Sequence, residues 1–281
     1  MLKLMYITNR PEIARIAESA GVDRIFVDME FIGKDQRQKG LDTVKSHHTV
    51  QDVAAVRAAV TKAQVLVRVN PIHDKMADYC SSKEEIDAVI AAGADVVMLP
   101  FFKKVEEVCT FVRLVNGRAR TMLLLETPEA AEQVDDILEV SGIDEIHIGL
   151  NDLSLGYGLP FMFELLTDGT VERLCLKFRK KGIIYGFGGI ASPGKGDLPA
   201  EYIIREHYRL GSCCVILSRS FCNTSKVTDL DTIRSIFNSG VAEIRAVERE
   251  CIEQDEGFFF DNQREVFRLV KTISERMSAA K

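Results

Sequence analysis

Polar residues directly follow several short apolar runs of the sequence, and some of these residues could bind a divalent cation. Glu126 follows TMLLL, and Asn151 and Asp152 follow EIHIGL and begin the segment NDLSLGYG, which is predicted to be a loop. Magnesium and manganese prefer oxygen ligands, so two carboxylates at neighbouring strand ends could share one cation and leave positions for a substrate acid. The alternative for either acid is that it caps a helix or meets solvent.

Arg68 lies near the end of the apolar run QVLVRV, where a buried cation is costly unless it meets an anion. The planar guanidinium group matches a carboxylate or an enolate oxygen. A structural salt bridge with Asp28 or Glu30 in FVDME explains the same residue equally well. The sequence leaves both interpretations open.

Two later segments contribute further basic side chains. Arg219 follows the apolar run CCVIL and could hold a distal acidic group of a substrate, unless it pairs with Glu201 or Glu206. The segment SPGKGDLPAE at 192–201 could bind phosphate through backbone amides and Lys195, although an ordinary turn is the favoured interpretation.

Histidine supplies the candidates for a general base, because its side chain titrates near neutral pH. His47 and His48 stand side by side at the end of the long polar segment GKDQRQKGLDTVKSHHT. The alternative is that both are solvated neighbours of a helix start, since Thr49 and Asp52 have the spacing of a capping box. His147, inside EIHIGL, is expected to be a core residue.

The elements that must position these residues alternate regularly along the chain. Segments with apolar residues three and four positions apart are typical of amphipathic helices, and they separate short apolar runs typical of buried strands. The predicted helices include PEIARIAESAG, VQDVAAVRAAVTKA, KEEIDAVIAAG, KVEEVCTFVRLVNG and PEAAEQVDDILEVSG. The predicted strands lie in LKLMYIT, DRIFVDM, AQVLVRV, DVVMLP, TMLLLE, EIHIGL, IIYGFGGI and CCVILSRSF.

Eight strand and helix units predict an α/β fold of the closed (β/α)8 TIM-barrel type, with a parallel sheet buried on both faces. An open doubly wound sheet fits less well, because no strand is followed by a G-x-G-x-x-G turn. In TIM barrels the chemistry lies at the carboxyl ends of the strands. The polar residues listed above are therefore expected to face one site.

The chain beyond the last predicted strand is longer than one closing helix requires. Residues 223–281 are expected to form extra helices that either cover the barrel floor or pack on a neighbouring subunit, and the FFF sequence at 258–260 suits both roles. No repeat, linker or low-complexity tract marks a second domain, so residues 1–281 are interpreted as one domain.

Composition limits the class of protein and its partners. Hydrophobic residues make up 46% and charged residues 28% of the chain, which is enough to bury a large core. The net charge of -6 argues against nucleic acid or an anionic membrane as partner. The seven cysteines lack Cys-x-x-Cys spacing, and no apolar run approaches the ~20 residues of a membrane span, so a reduced, cytoplasmic protein is expected.

Five segments together resemble the HpcH/HpaI aldolase and citrate-lyase beta-chain family, and they occur in the family's order within residues 1–222. Each segment alone is weakly specific, whereas five on successive predicted strand ends are more specific than a shared fold. The segments are FVDMEF at 26–31, VRVN at 67–70, VMLP at 97–100, LLLETPEA at 123–130 and IGLNDLSLGYG at 148–158.

The resemblance implies a phosphoenolpyruvate/pyruvate-type barrel that binds Mg²⁺ or Mn²⁺ and a small oxo acid such as pyruvate. It places the metal on Glu126 and Asp152 and gives Arg68 the task of binding substrate oxygens and stabilising an enolate. It also implies a homo-oligomer, a trimer or hexamer with exchanged C-terminal helices. The implied reaction is that of a metal-dependent aldolase; alternatives are citryl- or malyl-CoA-type lyase or condensing chemistry.

One position departs from the family pattern. Aldolases of the family carry histidine directly after Asp-x-Glu of the second strand, where it takes part in proton transfer, and this chain has Phe31 there. Phenylalanine cannot transfer protons. Either another residue supplies the base, with His47 and His48 as candidates, or the reaction differs. A further alternative is a barrel that binds ligands without catalysis.

Overall fold

Each of the eight predicted apolar runs contains a β-strand, and the strands close into a parallel barrel in chain order, with the eighth paired to the first. The computed structural model describes residues 1–34 and 48–279. The predicted (β/α)8 fold is confirmed. The strands are β1 (Lys3–Ile7), β2 (Arg24–Asp28), β3 (Gln64–Arg68), β4 (Val96–Leu99), β5 (Arg120–Leu125), β6 (Glu145–Ile148), β7 (Ile184–Ile190) and β8 (Cys214–Leu217).

Helices surround the barrel and follow most strands within the described residues. The helices are α1 (Pro11–Ser19), α2 (Val50–Ala59), α3 (Ser82–Ala91), α4 (Val105–Val115), α5 (Pro128–Glu132), α6 (Val134–Ile137), α7 (Leu150–Gly156), α8 (Glu164–Thr167), α9 (Thr170–Lys181), α10 (Ala200–Leu210), α11 (Leu230–Ile252) and α12 (Glu256–Ala279).

Two segments differ from the sequence-based prediction. PEAAEQVDDILEVSG forms two short helices, α5 and α6, that meet at Gln133. The Gln133 side chain donates hydrogen bonds to the carbonyls of Lys103 and Glu129, which holds the break against the neighbouring loop. NDLSLGYG, predicted as a loop, forms most of α7, because Leu150 and Leu153 are spaced to bury on one helical face.

The alternation of side chains along the strands decides which residues enter the barrel. Met5, Phe26, Leu66, Met122 and Leu124 belong to a small apolar cluster, separate from the large core beneath the helices. Residues two positions away along a strand point to the same side. The first and last residues of several strands are polar, so the barrel interior is apolar in the middle and charged at both ends.

At the amino-terminal end of the barrel, Arg24 and Glu145 form a fully buried ion pair with two hydrogen bonds of 2.6 Å. Gln64 accepts a further bond from Arg24 Nε at 2.9 Å. Arg120, which is 41% exposed, donates to Glu145 from the rim at 3.0 Å. This cluster closes the floor and lies at the opposite end from the predicted site.

Replacing Arg24 with methionine is expected to lower the free energy of unfolding by about 3 to 5 kcal/mol, because it leaves the Glu145 carboxylate buried without its main partner. Urea denaturation followed by circular dichroism measures the change. Arg120→Met is the matched control, because it removes the exposed partner of the same carboxylate, and a loss of about 1 kcal/mol or less is expected. Equal losses for the two variants would contradict this assignment.

The long C-terminal helices pack on the barrel of their own chain. Helix α11 lies against α1 and α10, and α12 lies against α8 and α10. Asn262 on α12 donates hydrogen bonds to Glu206 and to the carbonyl of Tyr202, both on α10. Within residues 1–34 and 48–279, no helix is long and apolar enough to cross a membrane. All seven cysteines are free thiols.

Candidate active site

Among the described residues, three cavities lie where the strands end, and the predicted site residues other than His47 line them. The central cavity, about 200 Å³ in volume, is lined by Arg68, Glu126, His147, Asn151, Asp152 and Ile216, among others. The outer cavity, about 430 Å³, shares Glu126 and Asp152 with it. The β1–β8 cavity, about 350 Å³, shares Arg68 and Ile216 with the central cavity and includes Arg10, His48 and Arg219.

Arg68 is held in place by the two carboxylates of β2. Its Nε and Nη2 each donate a hydrogen bond of 2.8 Å to Asp28, and its Nη1 lies 3.3 Å from Glu30. Lys34 completes the cluster with contacts of 3.1 Å to Asp28 and 3.6 Å to Glu30. The salt-bridge interpretation of Arg68 is therefore confirmed, because Asp28 and Glu30 both pair with the guanidinium group. The side chain also lines two cavities, so the binding of a substrate oxygen by Arg68 stays a prediction.

Asp28 and Arg68 hold each other in the ionised state. Burial alone would raise the pKa of Asp28, but Arg68 and Lys34 outweigh it, and the pKa of this carboxyl lies well below its usual range. Burial alone would lower the pKa of Arg68, yet Asp28 and Glu30 raise it well above the ordinary arginine value. Asp28 is consequently a poor proton acceptor, whereas Arg68 is a permanent cation beside the cavity.

Glu126 comes directly after β5 and is 3% exposed. Thr127 caps the next helix by accepting a hydrogen bond from the Ala130 N–H. The Glu126 Oε1 atom accepts a hydrogen bond of 3.0 Å from the Phe101 N–H. Its Oε2 atom lies against Gly149, where an added Cβ would come within 2.8 Å of it. The carboxylate is therefore fixed by groups on β5 and on the two neighbouring turns.

Phe101 and Gly149 are site residues that the sequence interpretation missed. Phe101 has a φ of 47°, a left-handed conformation that costs a residue with a side chain about 1 to 2 kcal/mol. This conformation accompanies the donation of its N–H to Glu126, and nothing in the sequence marks it. Gly149 could have been predicted as a site residue from the sequence, because it directly follows the last residue of the strand EIHI.

Asp152 and Asn151 lie in the first turn of α7, and both line the central cavity. Within the described ranges 1–34 and 48–279, no group of three or more His, Cys, Asp or Glu side chains is arranged to hold a metal. A divalent cation here would rest on Glu126 and Asp152 together with water and substrate oxygens, a pattern that is common for Mg²⁺. The oxygen donors and the fixed Glu126 carboxylate fit such an ion.

The candidate histidines are separated by the fold. His48 lines the β1–β8 cavity, and its Nδ1 accepts a hydrogen bond of 2.9 Å from the Asp28 N–H. Thr49 and Asp52 form the predicted capping box directly behind it. His47 lies outside the described residues. His147 is fully buried, as expected, and bonds the Gly188 carbonyl at 3.0 Å.

Phe31, at the position of the family histidine, packs edge-on against Tyr79 with ring centroids 4.8 Å apart. Its N–H donates to Asn70 Oδ1 at 2.9 Å, and Asn70 is in turn bonded to Glu85. Phe31 is not among the described residues that line the central or the β1–β8 cavity. The turn after β2 is therefore fixed by Asn70, with the Phe31 ring against Tyr79.

Comparison with known proteins places the chain in a family. A family model described as HpcH/HpaI aldolase/citrate lyase matches residues 3–183. The fold is shared with an HpcH/HpaI aldolase from Desulfitobacterium hafniense DCB-2, at 18% identity and a TM-score of 0.60 over 83% of this chain and 93% of that one. The fold is also shared with an HpcH/HpaI aldolase/citrate lyase family protein from Burkholderia cenocepacia J2315, at 16% identity and a TM-score of 0.59 over 83% of this chain and 95% of that one. Citrate synthase SbnG is similar at 18% identity and a TM-score of 0.57 over 83% of this chain and 92% of that one.

A short sequence match also exists with a pyruvate kinase from Methylorubrum extorquens, 34% identical over 71 residues. It spans 25% of this chain and only 14% of that protein. The closed eight-stranded parallel barrel defines the class of TIM-barrel proteins. Within that class, the chain belongs to the HpcH/HpaI aldolase/citrate lyase family. The matched residues include Arg68, Glu126 and Asp152, and they exclude Arg219 and the C-terminal helices.

Proposed function

We propose that this protein is a divalent-metal-dependent carbon-carbon lyase that cleaves or forms small hydroxy-oxo acids through an enolate. The observation that carries the proposal is that Arg68, Glu126 and Asp152 line one cavity of about 200 Å³, a size that suits a pyruvate-like acid. The family membership agrees with lyase chemistry.

In this proposal Glu126 and Asp152 would hold Mg²⁺ or Mn²⁺, which would supply Lewis-acid polarisation of the carbonyl group of the oxo acid. Arg68 binds the oxygen that becomes negative as the enolate forms. Asp28 and Glu30 fix the guanidinium group before the substrate arrives, so little reorganisation is needed during the reaction. Asn151 and Asp152 contact the substrate beside the metal.

Condensing or acyl-lyase chemistry of the citryl or malyl type is the second candidate. The β1–β8 cavity favours it, because Arg10, Arg68 and Arg219 line this space, and Asp28 is the single carboxylate among the described lining residues. Arg10 also pairs with Glu12 at 2.6 Å, outside the lining. Such a lining suits a reactant that carries additional negative charge. SbnG, a structural neighbour, is named a citrate synthase.

The proposed partner is a small oxo acid, not nucleic acid or a membrane. The proposed assembly is a homo-oligomer, a trimer or hexamer in the cytoplasm. Phe260, Phe267 and Met277 on α12 are 59%, 45% and 37% exposed, which supports contacts between subunits through this helix.

Incubation of the protein with pyruvate and Mn²⁺ in D2O is expected to replace the methyl protons by deuterium, because enolate formation makes them exchangeable. Proton NMR of the pyruvate methyl signal measures the rate. Addition of EDTA is expected to stop the exchange, and its return on adding excess Mn²⁺ is the control for reversible metal removal.

Two other results would separate the alternatives. Exchange that persists in EDTA would contradict the metal assignment. Pyruvate binding without any exchange would favour a ligand-binding barrel that does not catalyse the reaction.

A further inference from the structure

His48 is placed beside Arg68 by a contact with the backbone of β2. The hydrogen bond of 2.9 Å from the Asp28 N–H to His48 Nδ1 holds the half-buried ring at the wall of the β1–β8 cavity. The capping box of Thr49 and Asp52 fixes the chain immediately after it. Both contacts restrict the ring, so its orientation is set before any ligand binds.

This contact determines the protonation pattern of the ring. A backbone N–H can only donate, so Nδ1 must be the nitrogen without a proton, and a neutral imidazole then carries its proton on Nε2. Burial lowers the pKa of His48, and the nearby cations of Lys34 and Arg68 lower it further, against the opposite effect of Asp28 and Asp52. The ring therefore stays neutral near pH 7.

The same pattern argues against a general base. Nδ1 is occupied by the Asp28 N–H, and Nε2 already bears a proton, so a proton could be accepted only after the bond to Asp28 is broken. A neutral imidazole can nevertheless polarise a carbonyl group by donating from Nε2, as happens in other enzymes.

We propose that His48 is a neutral hydrogen-bond donor that holds the carbonyl oxygen of the second reactant in the β1–β8 cavity. The inference rests on the proposed enolate chemistry. The central and β1–β8 cavities meet at Arg68 and Ile216, so an enolate at Arg68 lies next to a reactant in the second cavity.

The methyl proton that the oxo acid loses as the enolate forms passes to solvent, so the step needs no reagent other than water. The enolate carbon forms a bond to the carbonyl carbon, and the carbonyl π electron pair moves to the oxygen that His48 Nε2–H holds. Water then supplies the proton that converts this alkoxide to a hydroxyl group. In the cleavage direction, His48 stabilises the same alkoxide before the carbon-carbon bond breaks.

Comparison of His48→Ala with His48→Gln tests the proposal. Glutamine can accept the Asp28 N–H through Oε1 and donate through Nε2, whereas alanine can do neither. With pyruvate, Mn²⁺ and either glyoxylate or glycolaldehyde as probes, condensation is expected to fall about 100-fold in the alanine variant and about tenfold or less in the glutamine variant. Condensation should fall at least about tenfold more than methyl exchange, because exchange requires no second carbonyl.

His73→Gln is the matched control, since His73 lines neither cavity among the described residues and bonds the carbonyls of Pro71 and Cys80 instead. Nitrogen-15 NMR of the wild-type protein is expected to show His48 protonated on Nε2 only. Three results would each overturn the proposal. The first is a glutamine variant as impaired as the alanine variant, and the second is a proton on His48 Nδ1. The third is no condensation with either aldehyde by a protein that exchanges pyruvate protons. Absence of exchange in the wild-type protein would instead contradict the proposed function.

Discussion

Arg68→Lys is expected to lower the rate of metal-dependent exchange of the pyruvate methyl protons by about 100- to 1,000-fold, the usual effect of losing a transition-state hydrogen-bond donor. Arginine presents a planar group that bonds Asp28 through two nitrogen atoms and reaches Glu30 and the cavity with the third. Lysine keeps the positive charge but has one nitrogen, which cannot make these contacts at once.

The positive charge itself is retained in the lysine variant, so the carboxylates of Asp28 and Glu30 keep a counter-ion and the protein is expected to stay folded. Arg57→Lys is the matched control, because Arg57 forms an ordinary salt bridge of 2.7 Å with Asp95 and is absent from the lining of the central cavity in the described residues. Exchange in the Arg68 variant within tenfold of wild type would show that Arg68 has a structural role only.

The second large effect is expected for Glu126→Gln, which should weaken Mn²⁺ binding at least about 100-fold, given that changes outside the ligand shell already cost 10- to 100-fold. Glutamine preserves the shape of the side chain, and its Oε1 can still accept the hydrogen bond from the Phe101 N–H. The variant therefore removes a negative charge from the cavity without removing the contact that positions it. Methyl exchange at a fixed Mn²⁺ concentration should fall to the background rate.

Electron paramagnetic resonance of free Mn²⁺ measures binding separately from activity. Glu129→Gln is the matched control, since Glu129 lies three residues later, is half exposed and pairs with Lys103 at 2.9 Å. Normal Mn²⁺ affinity in Glu126→Gln would place the cation elsewhere. Normal Mn²⁺ affinity together with loss of methyl-proton exchange would show that Glu126 contacts the substrate instead of the metal.

Much of this arrangement follows from strand alternation, which can be deduced from the sequence once strands are assigned. Phe26 and Leu66 point into the barrel, so Asp28 and Arg68, two positions later, must do so as well. The same rule turns Glu126 inward after Leu124. The pairing register then sets Asp28 directly beside Arg68. Residue types alone leave the role of Arg68 open, because they do not specify this register.

Other parts of the site depend on contacts between distant segments. The left-handed conformation of Phe101 arises where the turn after β4 meets Glu126, 25 residues later in the chain. The orientation of His48 depends on the Asp28 backbone, 20 residues before it. Neither residue belongs to a type or pattern that predicts such a contact.

The sequence by itself therefore determined the eight strands, the closed barrel, the end of the barrel where the candidate site residues lie and the inward side chains, because all of these follow from local periodicity of the chain. Only the tertiary structure decided that Arg68 is fixed by Asp28 and Glu30, that Asp152 lies on a helical turn, and which nitrogen of His48 faces its backbone partner. The physical reason is that these features depend on hydrogen-bond geometry between segments far apart in the sequence, which residue type alone does not specify.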